Sequence, residues 1–228
     1  MSSTTYIAFV SSDKLFSTTD GFITRMNEDG ARPEPQTVEA IMTDFLNEAL
    51  EVYFVQPQDF LGLSSGMKRV VNMTVDTISK AATMVVKRAA KKMDLEQNRE
   101  AARYMDTMRL CVTDDGGAER WYVAFPLDEG VRGKAEAAIA EIRKGHTESG
   151  RNQLTDYLLE LADVGLYWYF EEPMKLLGFG PVMRRAADMG VETTRKATKS
   201  TISRIFPKLD EKQLGAAADY IESLMLTT

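Results

Sequence analysis

The chain aligns with itself. Displaced by 116 residues, without a gap, residues 5–112 fall on residues 121–228 with 25 identities in 108 pairs. Seventeen of these lie in the stretch 61–110 over 177–226. A register held without insertion marks two like units of one supersecondary design, neither long enough for a large core of its own. The expected fold is therefore mainly α: two pseudo-symmetric tandem repeats, 1–113 and 118–228, fused into one pseudo-two-fold body. Each repeat is expected to hold a short strand and about four helices. Duplicated units of this kind reproduce the self-complementary contact of a homodimer within one chain.

Each unit opens on an aromatic and β-branched run, Tyr6-Ile7-Ala8-Phe9-Val10 or Trp121-Tyr122-Val123-Ala124-Phe125, which suits a strand. Between the units, residues 109–113, a turn at Asp115-Gly116 and residues 120–124 form a β-hairpin pattern. The join is then a turn inside a shared sheet. A first helix is expected over Thr19–Asn27 and Lys134–Lys144, followed by polar loops at 28–36 and 145–152. A second helix is expected over 37–54 and 153–170, ending where Tyr-Phe precedes Pro57 and Pro173. The third helix, 65–91 and 181–206, is the longest; Ser64 or Ser65 can cap one copy and Pro181 starts the other. A fourth begins at Asp94 and Asp210, each followed three residues on by glutamine, the spacing of a capping box.

Charge is segregated along each unit. Residues 67–94 hold seven Lys or Arg against two acids, and 183–210 hold seven against three. The second helices are acidic, with five acids and no base in 37–60, and five acids against Lys175 in 153–176. Acidic and basic helices side by side account for this by internal pairing. The lesser alternative is an exposed anionic-partner surface formed by Arg69, Met73, Lys80, Arg185, Met189 and Lys196.

Catalytic chemistry finds little support. The single histidine, His146, stands opposite Gly30, and the single cysteine, Cys111, stands opposite Thr227. A chemistry common to both units can use neither, and no metal or cofactor site is expected. Gly178-Phe179-Gly180 lacks the Lys-Ser/Thr of a phosphate loop and reads as a helix entry. Glu171-Glu172 face Val55-Gln56, so that acid pair is not shared either. No apolar run approaches the roughly 18 residues of a membrane span, and the N-terminus has no secretory pattern. The expected function is a non-enzymatic, cytoplasmic interaction or scaffolding protein, with a protein partner or self-association and nucleic acid disfavoured. The alternative is a small-molecule or lipid-binding helical domain. Its pocket is expected in repeat two, lined by Trp168, Tyr169 and Tyr220, because that copy carries the run Tyr167-Trp168-Tyr169-Phe170.

Overall fold

The protein is mainly helical with one small antiparallel sheet; the structure, a computed structural model, describes residues 3–113 and 116–228. The chain runs β1 (Thr5–Val10), α1 (Asp13–Met26), α2 (Pro35–Leu50), a π-helical turn (Glu51–Val55), α3 (Gln56–Phe60), α4 (Ser65–Ala90), α5 (Leu95–Thr107) and β2 (Arg109–Thr113). It continues with β3 (Glu119–Pro126), α6 (Glu129–Arg143), α7 (Thr147–Leu166), a second π turn (Tyr167–Glu171), α8 (Glu172–Leu176), α9 (Pro181–Ile205), α10 (Glu211–Ser223) and β4 (Met225–Thr227). The π turns, α3 and α8, and α5 and α10 start and end 116 residues apart, the separation of the bonded pair Tyr53 and Tyr169.

The sheet has the order β2-β3-β1-β4, every pair antiparallel. Its centre is the β1–β3 pairing, with Ala8 opposite Ala124. The flanking pairs follow one rule: Thr5 faces Thr227 as Cys111 faces Trp121, and Tyr6 faces Leu226 as Leu110 faces Tyr122. Each edge strand thus ends one half of the chain and pairs with the strand that opens the other half. The hairpin turn expected at Asp115-Gly116 lies partly outside the described residues.

Local chemistry explains the helix ends. Ser12 and Asp128 accept from the backbone N–H three residues on and cap α1 and α6. Ser64 caps α4, whereas Gly180 precedes α9 with Pro181 in its first turn. Asp94 with Gln97, and Asp210 with Gln213, form complete capping boxes. Gly62 and Gly178 follow α3 and α8 at φ 56° and 61°, the left-handed conformation in which a side chain is strained.

Several boundaries differ from expectation. The first helices begin earlier, at Asp13 and Glu129, because the capping residues lie upstream of the apolar stripe. The loop expected at 145–152 is shorter, since α7 starts at Thr147 with no breaker to hold it off. The second helices do not stop at proline. Proline within an unbroken α-helix collides with the carbonyl four residues back and removes a donor. Here the coil widens first: the Gln56 and Glu172 N–H groups bond to the Glu51 and Tyr167 carbonyls, five residues back, and α3 and α8 then carry the prolines in their first turns. Each half also has a second strand, β4 being the one the sequence left unmarked.

The long helices α4 and α9 pack directly on each other. Thr74 and Thr201 share a buried hydrogen bond of 2.6 Å at one crossing point. At the other, a Cβ on Gly190 would stand 2.9 Å from Val85 Cγ2. Core side chains are exchanged between halves. Leu61, Leu63 and Val71 belong to a cluster otherwise built largely from α6, α7 and α10, while Phe179 and Met183 complete the cluster of α1, α2 and α5.

Candidate functional site

The two π turns meet in the middle of the molecule. Tyr53 and Tyr169 share a hydrogen bond of 2.9 Å between their hydroxyls. Burial pushes both phenol pKa values up, Tyr169 well above its ordinary range. Around this pair, helices of one half reach the backbone of the other. Gln97 Nε2 donates to the Leu177 carbonyl at 2.6 Å and Gln213 Nε2 to the Leu61 carbonyl at 2.8 Å. The Tyr104 hydroxyl donates to the Trp168 carbonyl, and the Tyr220 hydroxyl donates to the Val52 carbonyl at 2.8 Å. Tyr104 is pushed upward by burial, and Tyr220 is pushed up to about 12 for the same reason.

Beside this junction lies an apolar cavity of about 160 Å³. Its walls come from α1, α2, α4 and α5 of the first half, and from β3, the π turn, α8 and Phe179 of the second. Trp168, Tyr169 and Tyr104 are among its lining residues, and Tyr220 is not. The second-half aromatics therefore close a cavity whose bulk lies among first-half helices. The reason is the exchange across the junction: α8 packs on α5, Met174 and Leu177 pack against the core of α1, α2 and α5, and the Tyr169 ring meets Phe45 edge-on at 4.9 Å. Trp121, on β3, stacks on Phe16 at 4.7 Å at another wall.

The sequence carried a signal for this placement that composition concealed. At five lining positions the side chain is smaller than the one 116 residues later, while Leu15, Thr19, Phe45 and Glu100 are larger than Val131, Ala135, Leu161 and Ala216. Val38, Ile41, Val86, Ala89 and Ala90 line the cavity, and Leu154, Tyr157, Ile202, Ile205 and Phe206 stand at the shifted positions, Ile202 buried and the other four in or against the second core. Tyr157 is fully buried and its hydroxyl has no partner, so its bulk is held for packing. Aromatic density pointed to the second half; residue size points to the first.

Polar groups at the cavity are few. Arg109 sits over the Phe16 and Trp121 rings, 5.9 and 5.3 Å from their centroids. Its guanidinium is held by Asp20 at 2.8 Å and Asp106 at 2.5 Å, which raise its pKa against the opposing effect of burial. Thr19 also lines the cavity and is buried. No family model, curated protein or solved structure matches this chain. The cavity must be interpreted from its own chemistry.

The six residues of the expected anionic-partner surface are all exposed on α4 and α9. Lys196 pairs with Glu192 on its own helix at 3.3 Å, while Arg69, Lys80 and Arg185 make no ion pair among the described residues. Pairing to acids of the π-turn region runs through other side chains. Arg195 bonds Asp163 and Glu171, Lys199 bonds Asp163, and Lys68 bonds Asp59. His146 contacts Glu141 at 3.0 Å on the surface, and Cys111 is exposed on β2, remote in kind from any nucleophile–base pair. Among the described residues, no three His, Cys, Asp or Glu side chains gather as a metal site, and no helix is long and apolar enough to cross a membrane.

Proposed function

We propose that the chain is an internally duplicated, non-enzymatic binding protein, folded as a pseudo-two-fold body, that takes up a small apolar molecule in the cavity of its first half. The duplication draws support from reciprocal contacts. The bonds Gln97 to Leu177 and Gln213 to Leu61, and Tyr104 to Trp168 and Tyr220 to Val52, exchange when every residue is shifted by 116. Contact pairs of this type define an isologous interface.

The cavity carries the binding reading. An apolar hollow of about 160 Å³ leaves hydrocarbon surface that an apolar occupant would take out of water. Larger side chains stand at five shifted positions of the second half, buried there. Their absence from the first half favours a space held for an occupant. Apolar cavities of ~150 Å³ take up molecules of benzene's size, and the lining hydroxyls of Ser11 and Thr19 have no hydrogen bond to a base that would activate them.

Both tryptophans of the chain, Trp121 and Trp168, line the cavity and report on its contents. Titration with methylcyclohexane is expected to change their emission saturably. Ile41→Tyr and Ala89→Ile each introduce the side chain found 116 residues later, and each is expected to abolish the response while thermal unfolding remains cooperative. An unchanged titration in folded forms of both variants would overturn the proposal.

An interaction or scaffolding role draws support from Met73, Val182 and Met189, exposed at 63, 79 and 66% on the long helices. Exposed Asp76, Asp188 and Glu192 interrupt the basic stripe on the same helices, which weakens it as a site for an anionic partner. The cavity is the more specific feature.

A further inference from the structure

Among the described residues that line the cavity, one buried polar side-chain atom has no hydrogen-bond partner. Thr19 is 6% exposed, lines the cavity, and its Oγ1 has no hydrogen-bond partner. Helical threonine commonly settles its hydroxyl on the carbonyl three or four residues back; this one does not. As placed, Oγ1 is closed to a water-sized probe; rotation about Cα–Cβ exchanges methyl and hydroxyl and would present the hydroxyl to the cavity from another staggered rotamer. Leaving such a group unsatisfied is unfavourable, and replacing it by an apolar side chain would remove the penalty. The shifted position of the filled half carries Ala135, fully buried and without a hydroxyl. The polar group therefore stands at the cavity, and a methyl stands at the shifted position.

Charge at the walls limits the occupant further. Among the described lining residues, Arg109 is the one cation, and Asp20 and Asp106 already cover it. Glu100 also lines the cavity, as a carboxylate paired with Arg103. An anionic headgroup would meet a guanidinium that two carboxylates already hold. A neutral ligand meets no such opposition.

We propose that the ligand is a neutral, compact hydrocarbon skeleton bearing one hydroxyl or carbonyl, and that Thr19 is the residue that recognises this group. The inference rests on the cavity being a binding site. Its test uses three probes of similar size on the full chain: methylcyclohexane, cyclohexanol and cyclohexanecarboxylate, followed by tryptophan emission and calorimetry at neutral pH. The informative quantity is the affinity ratio of cyclohexanol to methylcyclohexane, because it cancels most of the cavity's apolar contribution. Thr19→Val, nearly identical in shape, is expected to lower that ratio roughly fivefold to tenfold. Thr19→Ser, which retains the hydroxyl, is expected to preserve it. Cyclohexanecarboxylate is expected to bind more weakly than cyclohexanol. If methylcyclohexane binds wild type and Thr19→Val alike and the ratio is unchanged, Thr19 is not the recognising group and the cavity reading survives without it. Tighter binding of the carboxylate would overturn the neutral ligand. If no probe binds the wild-type chain, the cavity reading itself fails and takes this inference with it.

Discussion

At the scale of single residues, the Tyr53–Tyr169 bond is the contact that most directly ties the halves together. Both phenols sit where burial opposes ionisation, and each hydroxyl has the other as its hydrogen-bond partner. Removing one partner strands the other, at about 1–3 kcal/mol, whereas removing both takes away the demand along with the bond. Tyr53→Phe and Tyr169→Phe are therefore each expected to destabilise the fold by about that amount. The double variant should be no less stable than the weaker single one. Urea unfolding of the four proteins measures this directly; additive losses would mean that each hydroxyl is satisfied by something other than its counterpart. Thr19 and Tyr157 present the same physics without the partner, one beside open space and one within solid packing.

At the scale of elements, the crossing of α4 and α9 depends on a missing side chain. A Cβ at Gly190 would lie 2.9 Å from Val85 Cγ2, and valine is stiff about its first side-chain bond. Gly190→Leu is expected to lower stability by about 1–3 kcal/mol through overpacking, despite the better helix propensity of leucine. Combining it with Val85→Ala should recover much of the loss, read as a return of the thermal midpoint. No recovery would place the strain elsewhere. The elements themselves were largely legible in the sequence. Asp94 and Gln97, Asp210 and Gln213 announced their helix starts because capping is a local, four-residue chemistry. The long helices could be bounded for the same reason, by Ser64 and by Gly180-Pro181. Pro57 and Pro173 misled because a π turn is a response to the proline, set by packing around Tyr53 and Tyr169 and invisible to a rule about helix stops. Strand β4 escaped notice because three residues carry too little pattern; it exists through pairing with β1, more than 200 positions away in the chain. The candidate site was legible in part. Trp168 and Tyr169 stood out as aromatics, while the small residues that create the space, Ala89 and Ala90, look like ordinary helix formers until compared with Ile205 and Phe206.

At the scale of the whole molecule, the two halves do not own their cores. Leu61, Leu63 and Val71 pack into the cluster of α6, α7 and α10, and Phe179 and Met183 into that of α1, α2 and α5. The sheet is divided the same way, since β2 pairs with β3 and β4 with β1. A chain of residues 1–113 would therefore lose the strand neighbours of β1 and the aromatic wall supplied by Tyr167–Glu171, and would expose Leu61 and Leu63. Chains of about 110 residues can fold alone when they bury their own apolar surface; these bury much of it against each other. Residues 1–113 and 116–228, produced separately, are each expected to be unfolded or self-associated as isolated chains. Mixed at equal concentration, they should assemble into a one-to-one complex with the helical content of the intact chain and the tryptophan emission of Trp168 in its buried setting. Far-ultraviolet circular dichroism and analytical ultracentrifugation distinguish the cases. A cooperatively folded monomer from either half would show that the exchange of core segments is dispensable, and that the halves are separable domains joined by a hairpin. The complex should also regain the saturable response to methylcyclohexane, because the cavity has walls from both halves and can exist only when both are present.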